Sequence, residues 1–258
     1  MNPYTHIQLR EIFHLLFLEQ LFKISNPSLY IVKGGVSLRF FFHSPRYSED
    51  MDIDVLAGSV ATLKKNGYKV LESSSLRRAL QTYGIADILL NDPTKAKQTE
   101  TTQRFRLRLL TEAGESLPTK VEFSRRQKGK LPFLLGKIDP QFARIYQRLA
   151  FGCHHYSGEA MVVQKVKALA DRKQTQARDV FDLGVLHLGG YADLDYKKGW
   201  LTPQEVDRAE RNLDALRFED FKGQVLEYLN EESRHLYNGQ KAWNELKNRV
   251  LGILSNAR

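Results

Sequence analysis

The sequence predicts an α+β fold, with a mixed β-sheet flanked by helices in the first half of the chain and a mainly helical second half. Polar and apolar residues alternate, as they do in half-buried strands, in Ser48–Val55, Arg104–Leu110 and Lys120–Phe123. Beyond Ser157, whose hydroxyl suits a helix N-cap, apolar residues recur at helical spacing almost to the end of the chain. This change of pattern places a boundary near residues 135–155.

The first lobe is expected to begin with a helix. Apolar residues over Ile7–Ile24 recur at helical spacing, and Asn26–Pro27 ends the pattern. A strand is predicted at Leu29–Val32, followed by a glycine turn, a short helix over Val36–Phe42 and the first alternating strand. The other two alternating segments flank the turn-like Glu112–Pro118, which predicts a hairpin that extends the same sheet.

The length of 258 residues allows two lobes of modest size, which we expect over residues 1–145 and 146–258. The helices predicted in the second lobe cover Glu159–Lys173, Ala177–Leu188, Pro203–Leu216 and much of Phe218–Leu254.

The composition is ordinary for a soluble globular protein, with 42% hydrophobic and 27% charged residues. No run approaches the roughly 18 uninterrupted apolar residues of a membrane span, and the first residues lack the pattern of an export signal. The single cysteine, Cys153, excludes an internal disulfide framework and a multi-cysteine zinc site. We therefore expect a cytoplasmic protein with no membrane partner.

The formal net charge of +9 suits a nucleic-acid or nucleotide partner, because it attracts polyanions over long range. A solvated basic face without a ligand remains the alternative. The excess lies mainly in Lys64, Lys65, Lys69, Arg77, Arg78, Arg104, Arg106, Arg108, Arg125, Arg126, Lys128 and Lys130.

Asp50, Asp52 and Asp54 share one face of the first alternating strand, because side chains alternate with a period of two. Neighbouring carboxylates on that face, about 6.6 Å apart, repel by roughly 2.5 kcal/mol at an effective dielectric constant of about 20. A divalent cation reverses the sign of this interaction, and Mg²⁺ prefers carboxylate and phosphate oxygens. The alternative is a solvent-facing acidic edge balanced by nearby arginines.

Gly34 and Gly35 stand where a predicted strand turns into a helix. Glycines there let backbone N–H groups approach a phosphate, although a Gly–Gly pair alone more often marks a tight turn. With Asp–x–Asp on the next strand, the pattern resembles the nucleotidyltransferase superfamily. That superfamily has a third carboxylate on a later strand, for which Glu122 is the candidate; pairing of Glu122 with Arg104 or Arg125 is the alternative.

In the second half, Lys165, Leu169 and Arg172 lie on one stripe of a predicted helix. Asp179 and Asp182 share a face of the next helix, where they could hold the lysine or a substrate group. Taken singly, each of these charged residues could equally form a surface ion pair.

Four blocks together resemble the AbiEii/AbiGii (MenT-type) toxin nucleotidyltransferases. They are Gly–Gly–Val–Ser–Leu–Arg at 34–39, Arg–Tyr–Ser–Glu–Asp–Met–Asp at 46–52, Gln–Lys–Val–Lys–Ala–Leu–Ala–Asp–Arg at 164–172 and Arg–Asp–Val–Phe–Asp–Leu at 178–183. The resemblance implies the nucleotidyltransferase fold for the first lobe.

The resemblance also implies roles for individual residues. The expected catalytic residues are Asp50, Asp52, Lys165 and Asp179. The expected nucleotide-binding residues are Gly34, Gly35, Ser37, Ser48, Lys165, Arg172 and Asp182, with Lys165 on the triphosphate. The expected metal ligands are Asp50, Asp52 and Glu122.

The implied reaction is transfer of a nucleoside monophosphate from an NTP to a hydroxyl group, with Mg²⁺ or Mn²⁺ and release of pyrophosphate. The family points to an RNA acceptor, the 3′ end of tRNA first, and to a cognate antitoxin protein that neutralises the toxin. Three rivals remain: modification of protein side chains, nucleotide binding without catalysis, and transfer to a small molecule, which would predict an acidic acceptor cleft.

Overall fold

A computed structural model describes residues 3–92, 98–125, 131–192 and 199–257. Of the predicted basic segments, Arg126, Lys128 and Lys130 lie outside these residues. The predicted α+β fold with a mixed, helix-flanked sheet is confirmed.

The described strands are β1 (Tyr30–Lys33), β2 (Asp50–Val55), β3 (Ile85–Leu90), β4 (Gln98–Thr99), β5 (Thr102–Thr111), β6 (Ser116–Ser124), β7 (Phe133–Lys137) and β8 (Gly152–Tyr156). The described helices are α1 (His6–Ile24), α2 (Gly34–Phe41), α3 (Val60–Leu71), α4 (Ser74–Gln81), α5 (Pro140–Ile145), α6 (Gly158–Asp171), α7 (Ala177–Leu188), α8 (Pro203–Ala215), α9 (Phe218–Gln224), α10 (Glu231–Tyr237) and α11 (Gln240–Asn256).

The strands form one sheet in the order β3-β5-β6-β2-β1-β8-β7, with β4 paired to β5. β2 runs parallel to β6 and antiparallel to β1, and β1 runs parallel to β8. The predicted hairpin is the antiparallel β5–β6 pair. The strand that carries the aspartates therefore lies inside the sheet, between β1 and β6.

Helix α1 begins at a capping box, in which the Thr5 hydroxyl accepts from the backbone N–H of Gln8 and the Gln8 side chain accepts from the backbone N–H of Thr5. Its buried residues lie on nearly all sides, and Phe13 and Phe17 are fully buried. The helix packs against α3, α4 and β6. The first helix is thus a core element of the sheet unit.

The chain divides into two compact units. The first contains the described residues of Met1–Phe41, Tyr47–Lys130 and Leu134–His155. The second contains the described residues of Phe42–Arg46, Leu131–Phe133 and Tyr156–Arg258. In the second unit, α6 and α7 pack against each other, α6 against α8 and α7 against α11, and Phe221 stacks on Trp243 in the core. Among the described residues, we find no helical segment with the length and apolar composition that a membrane span requires.

Candidate active site

The aspartates of β2 lie on one face, as the alternation predicts. Met51, Ile53 and Val55 point into the core and are at most 3% exposed. The polar residues of the strand occupy the opposite face, where Asp50 and Asp52 are partly buried and Asp54 is buried.

Four charged side chains form a row across this face of the sheet. Lys33 on β1 is directly opposite Asp52 on β2, Asp52 is opposite Glu122 on β6, and Glu122 is opposite Arg104 on β5. Residues opposite one another on paired strands share a face, so the row reads positive, negative, negative, positive. The predicted third carboxylate therefore lies beside Asp52.

Three of the acidic side chains on this face have cationic partners. Lys120 Nζ lies 2.5 Å from Asp50 Oδ2, and Lys33 Nζ lies 2.5 Å from Asp54 Oδ1. Arg104 donates to Glu122 at 2.6 Å, which is one of the two pairings left open by the sequence. Asp54, for which the resemblance gave no assignment, therefore forms an ion pair with Lys33.

Asp52 differs from these three residues. Within the described part of the chain, no group forms a hydrogen bond or ion pair with its carboxylate. Burial raises the pKa of Asp52 above its ordinary value, Glu122 and Asp50 raise it further, and Lys33 and Lys120 oppose the shift. A cation bound at this carboxylate would relieve the desolvation and the like-charge repulsion.

The backbone of Gly34 comes close to Asp52. Gly34 has a φ of +67°, in the left-handed region, and a Cβ atom built on it would lie 3.3 Å from Asp52 Oδ2. Gly34 and Gly35 form the first turn of α2, where unpaired backbone N–H groups favour an anion. The glycine turn and the aspartate strand are therefore brought together.

The two predicted serines are placed differently. The Ser48 hydroxyl donates to the backbone carbonyl of Asp50 at 2.8 Å and so shapes the entry into β2. Ser37, on α2, is fully buried, and its Oγ has no hydrogen-bond partner among the described residues. Direct contact between Ser37 and a nucleotide would require its surroundings to open.

The chemistry of the donor set suits a hard divalent cation. Asp50 and Asp52 offer carboxylate oxygens on one face, and the desolvated Asp52 carboxylate has no cationic partner in the described residues. Among the described residues, no group of three or more His, Cys, Asp or Glu side chains is arranged to hold a metal ion. Asp50 and Glu122 are held by Lys120 and Arg104, so a metal site that includes them requires those ion pairs to rearrange.

A second charged cluster lies in the helical unit. Lys165 Nζ on α6 lies 3.0 Å from Asp179 Oδ1 and 2.5 Å from Asp182 Oδ2, both on α7. Arg172 donates to Asp179 at 2.7 Å, and Arg46 donates to both oxygens of Asp182 at 2.9–3.0 Å. The four predicted residues of this unit are thus brought into one network, and Arg46 joins them.

Burial sets the electrostatics of this network. Both aspartates are fully buried, and Lys165 is 7% exposed. Burial would raise the pKa of Asp179, but Lys165 and Arg172 outweigh it and hold that pKa below its ordinary value. Asp179 and Asp182 therefore hold the Lys165 ammonium group in place through ion pairs. Of the described side chains in this network, only that of Arg172 has substantial solvent exposure.

Arg46 was not identified from the sequence as a site residue. It stands in the second resembling block, but nothing in local periodicity predicts its bidentate contact with Asp182, 136 positions further on. A second buried group was also missed: Glu11 accepts from Arg39 at 2.7 Å and from the Tyr146 hydroxyl at 2.5 Å. Arg39 also lies over the ring of Tyr47, 4.3 Å from its centroid, so this network connects α1, α2 and the segment before β2.

A glycine turn, a short helix and an Asp–x–Asp strand on a mixed sheet define a protein of the nucleotidyltransferase class. The family model described as "Nucleotidyl transferase AbiEii toxin, Type IV TA system" matches residues 16–252. The chain belongs to this family of toxin nucleotidyltransferases. No curated protein sequence matches the chain.

Two solved structures share the fold. JHP933 from Helicobacter pylori is 18% identical, with a TM-score of 0.55 and coverage of 98% of this chain and 94% of that one. The nucleotidyltransferase toxin MenT4 from Mycobacterium tuberculosis is 16% identical, with a TM-score of 0.52 and the same coverage values of 98% and 94%. At these identities the likeness concerns the fold over nearly the full length of each chain.

Proposed function

We propose that this toxin transfers a nucleoside monophosphate from an NTP to a hydroxyl group of RNA, with the 3′ end of tRNA as the first candidate. The observation that carries the proposal is the unpaired, desolvated carboxylate of Asp52 beside the left-handed Gly34 at the first turn of α2. A carboxylate that needs a cation and a backbone turn that accepts an anion are the two features that bind a metal–nucleotide complex.

In the proposed reaction, the oxygen of the acceptor hydroxyl forms a bond to the α-phosphorus of the NTP, while its O–H bond breaks and the proton passes to solvent. The bond from that phosphorus to the bridging oxygen of the β-phosphate breaks, and pyrophosphate leaves in line with the attacking oxygen. When bound, Mg²⁺ or Mn²⁺ supplies neutralisation of phosphate charge and activation of the attacking hydroxyl. Asp52, and Asp50 once released from Lys120, would hold the ion, and Glu122 would join them if released from Arg104.

The other predicted residues are proposed to bind the NTP and to hold the site in position. Backbone N–H groups of Gly34 and Gly35 face the phosphates, and Ser48 keeps the start of β2 in position through its bond to Asp50. The resemblance assigns Lys165 to the triphosphate, and this contact would require Lys165 to release one of its two aspartate partners. Asp179 and Asp182 hold the ammonium group in place, and Arg172 is the exposed cation that the nucleotide would meet.

The positive net charge of +9 supports an anionic acceptor such as RNA. The family supports a cognate antitoxin as the natural partner of the chain. We propose that the toxin acts in the cytoplasm, where NTPs and RNA acceptors are available.

The deciding experiment incubates the protein with each α-labelled NTP in turn, total tRNA and a protein extract, in Mg²⁺, Mn²⁺ or EDTA. We expect label in tRNA with one or more NTPs, dependence on the metal, and no label with Asp52→Asn. Label in protein would instead favour side-chain modification. NTP binding with no transfer to either acceptor would favour a binding protein without catalysis.

A further inference from the structure

An open cavity of about 870 Å³ lies beside Asp50, on the same face of the sheet as the aspartates. Lys120, Arg106 and Arg108 supply its positive charges. Lys120 is paired with Asp50 in the described structure, whereas the guanidinium groups of the two arginines of β5 have no such partner among the described residues.

The sheet register fixes the direction of these arginines. Arg104 is opposite Glu122, and Arg106 is opposite Lys120, so every second residue of β5 faces the side of the carboxylates. Arg108 follows with the same period. Arg106 and Arg108 are exposed, and their guanidinium groups form no hydrogen bond or ion pair with any residue that the structure describes.

Other arginines of the predicted basic segments are already engaged. Arg104 is held by Glu122, Arg77 is paired with Asp87, and Arg125 donates to the backbone carbonyls of Gly58 and Glu100. Arg106 and Arg108 are thus the arginines of β5 whose charge is free to bind a substrate. Glu49 and Asp92 are the acidic residues that line the cavity besides Asp50.

The position of the cavity relative to the glycine turn indicates which substrate it receives. Gly34 precedes β2 on the side of β1, whereas Arg106 and Arg108 lie two strands beyond β2 on the other side. In an in-line transfer, the attacking oxygen approaches the α-phosphorus opposite the leaving pyrophosphate. If the glycine turn binds the triphosphate, the acceptor enters from the side of β6 and β5.

We propose that Arg106 and Arg108 bind successive phosphodiester groups of the RNA acceptor strand and lead its end to Asp50. The two side chains are about 6.8 Å apart along β5, at two residues of about 3.4 Å each, which suits a linear chain of repeated charges. This inference rests on the proposed function and assigns the acceptor side of the same site.

The test compares wild type with Arg106→Gln/Arg108→Gln and with the matched control Lys64→Gln/Lys65→Gln. The control removes the same charge from two exposed residues of α3 that do not line the cavity. Affinity for fluorescently labelled tRNA is measured over a range of salt concentrations, and NTP affinity is measured separately. The KM for tRNA in the labelling assay gives the kinetic readout.

We expect the arginine variant to bind tRNA about tenfold more weakly at low salt and to lose about 1.4 from the log–log salt slope, at about 0.7 per contact. NTP affinity should stay at the wild-type value, and the control should keep nearly all of the tRNA affinity. Equal losses in both double variants would overturn the inference in favour of diffuse attraction. Unchanged tRNA binding in the arginine variant, or weaker NTP binding, would overturn it as well.

Failure of the proposed function gives a different result. In that case wild type itself transfers no label to tRNA, and both the proposal and this inference fall. If wild type labels tRNA and the arginine variant keeps its KM and salt slope, the inference alone is wrong.

Discussion

Asp50, Asp54 and Glu122 each have an ion-pair partner on the sheet face, whereas the Asp52 carboxylate has none in the described part of the chain. Burial and its acidic neighbours penalise the ionised form, which raises the pKa of Asp52 although Lys33 and Lys120 oppose the shift. A residue kept in this state costs stability unless its ligand is bound. A substitution of Asp52 should therefore remove activity without lowering the free energy of unfolding.

We expect Asp52→Asn to abolish nucleotidyl transfer while the free energy of unfolding in EDTA stays equal or rises. The amide keeps the shape of the side chain but removes the desolvated charge and a metal ligand. Asp50→Ala should also abolish transfer. Urea unfolding and the labelled-NTP assay at saturating Mg²⁺ measure the two effects.

Asp54→Asn is the matched control for Asp52→Asn. It leaves the Lys33 ammonium beside a neutral amide, so it should lower the free energy of unfolding by about 1–3 kcal/mol. Wild-type turnover in Asp52→Asn would remove that residue from the catalytic set.

Lys165 is proposed to serve both the transfer reaction and the stability of the buried ion network, and the substitutions Lys165→Met and Lys165→Arg separate these two roles. We expect Lys165→Met to lower the transfer rate by about 100-fold or more, because a fixed positive charge is lost. It should also reduce stability by about 2 kcal/mol, since Asp179 and Asp182 lose one partner but keep Arg172 and Arg46. Rates come from the labelling assay and stabilities from urea unfolding.

Lys165→Arg keeps the charge and should restore much of the stability but little of the activity, because the guanidinium fork differs in shape from an ammonium group. A variant Lys165→Met that is unstable yet fully active would show that the lysine is only part of a structural ion network.

At the level of elements, the sequence predicts best where a local pattern determines the structure. The alternation in residues 48–55 gives both the existence of β2 and the face of Asp50 and Asp52. The predicted bounds of Ala177–Leu188 are those of α7, and Ser157 caps α6 as expected. In each case the determining interactions lie within a few residues along the chain.

Pairings between distant segments could not be predicted in the same way. The register that sets Glu122 beside Asp52 depends on a parallel pairing between strands about 70 residues apart. β7 and β8 lack a polar–apolar alternation and were not predicted. Arg77, one of the basic residues that give the chain its positive charge, pairs with Asp87 and donates to the carbonyl of Ile88, so it forms part of the α4–β3 contact.

The first turn of α2 allows a test of the glycine motif. We expect Gly34→Ala to cost about 1–2 kcal/mol of stability, because an L-residue is strained at a φ of +67°. The added methyl group, 3.3 Å from Asp52 Oδ2, should also displace that carboxylate and strongly lower nucleotidyl transfer. Stability is measured by urea unfolding and transfer by the labelling assay.

Gly114→Ala provides the control, since Gly114 has a φ of +81° and open space around its Cβ position. Both variants should lose similar stability, and only Gly34→Ala should lose activity. Equal activities would mean that the approach of Gly34 to Asp52 has no part in catalysis.

At the scale of the whole molecule, the total of 39 lysines and arginines overstates the number of cations that a substrate can meet. Arg46 and Lys165 are buried in the helical unit, and Arg39 is paired with Glu11 in the sheet unit. Exposed cations such as Arg106 and Arg108 determine what the surface attracts, because buried pairs are largely neutral at a distance. A count of basic residues therefore predicts the sign of the partner but not the place where it binds.

The stability of the whole molecule should depend on pH through His14, a buried residue of α1. The Thr119 hydroxyl donates to the backbone carbonyl of Glu49 at 2.6 Å, so its lone pair accepts from His14 Nε2–H at 3.1 Å. Burial lowers the pKa of His14 from 6.5 to about 4, Arg10 adds to the shift, and Asp50 opposes it. The folded protein therefore keeps the imidazole neutral at a pH at which the unfolded chain protonates it.

Between pH 6.5 and pH 4 the unfolded chain binds a proton at His14 that the folded chain does not, so acidification favours unfolding. The stability that neutral His14 contributes is complete above pH 6.5 and declines by about 3 kcal/mol as the pH falls through this window. Asp179 acts in a lower window, because its pKa lies below the ordinary 3.8 and its contribution is lost only as the pH falls further.

His14→Gln isolates this effect, since a glutamine amide can still donate to Thr119 but does not titrate. We expect the difference in unfolding free energy between wild type and His14→Gln to change by about 3 kcal/mol between pH 6.5 and pH 4, with wild type losing more. Urea unfolding in EDTA across this range measures both proteins without the contribution of a metal. If the free energies of unfolding of wild type and His14→Gln change in parallel over this pH range, His14 is protonated in the folded state as it is in the unfolded chain. The acid sensitivity of the toxin must then come from its carboxylates.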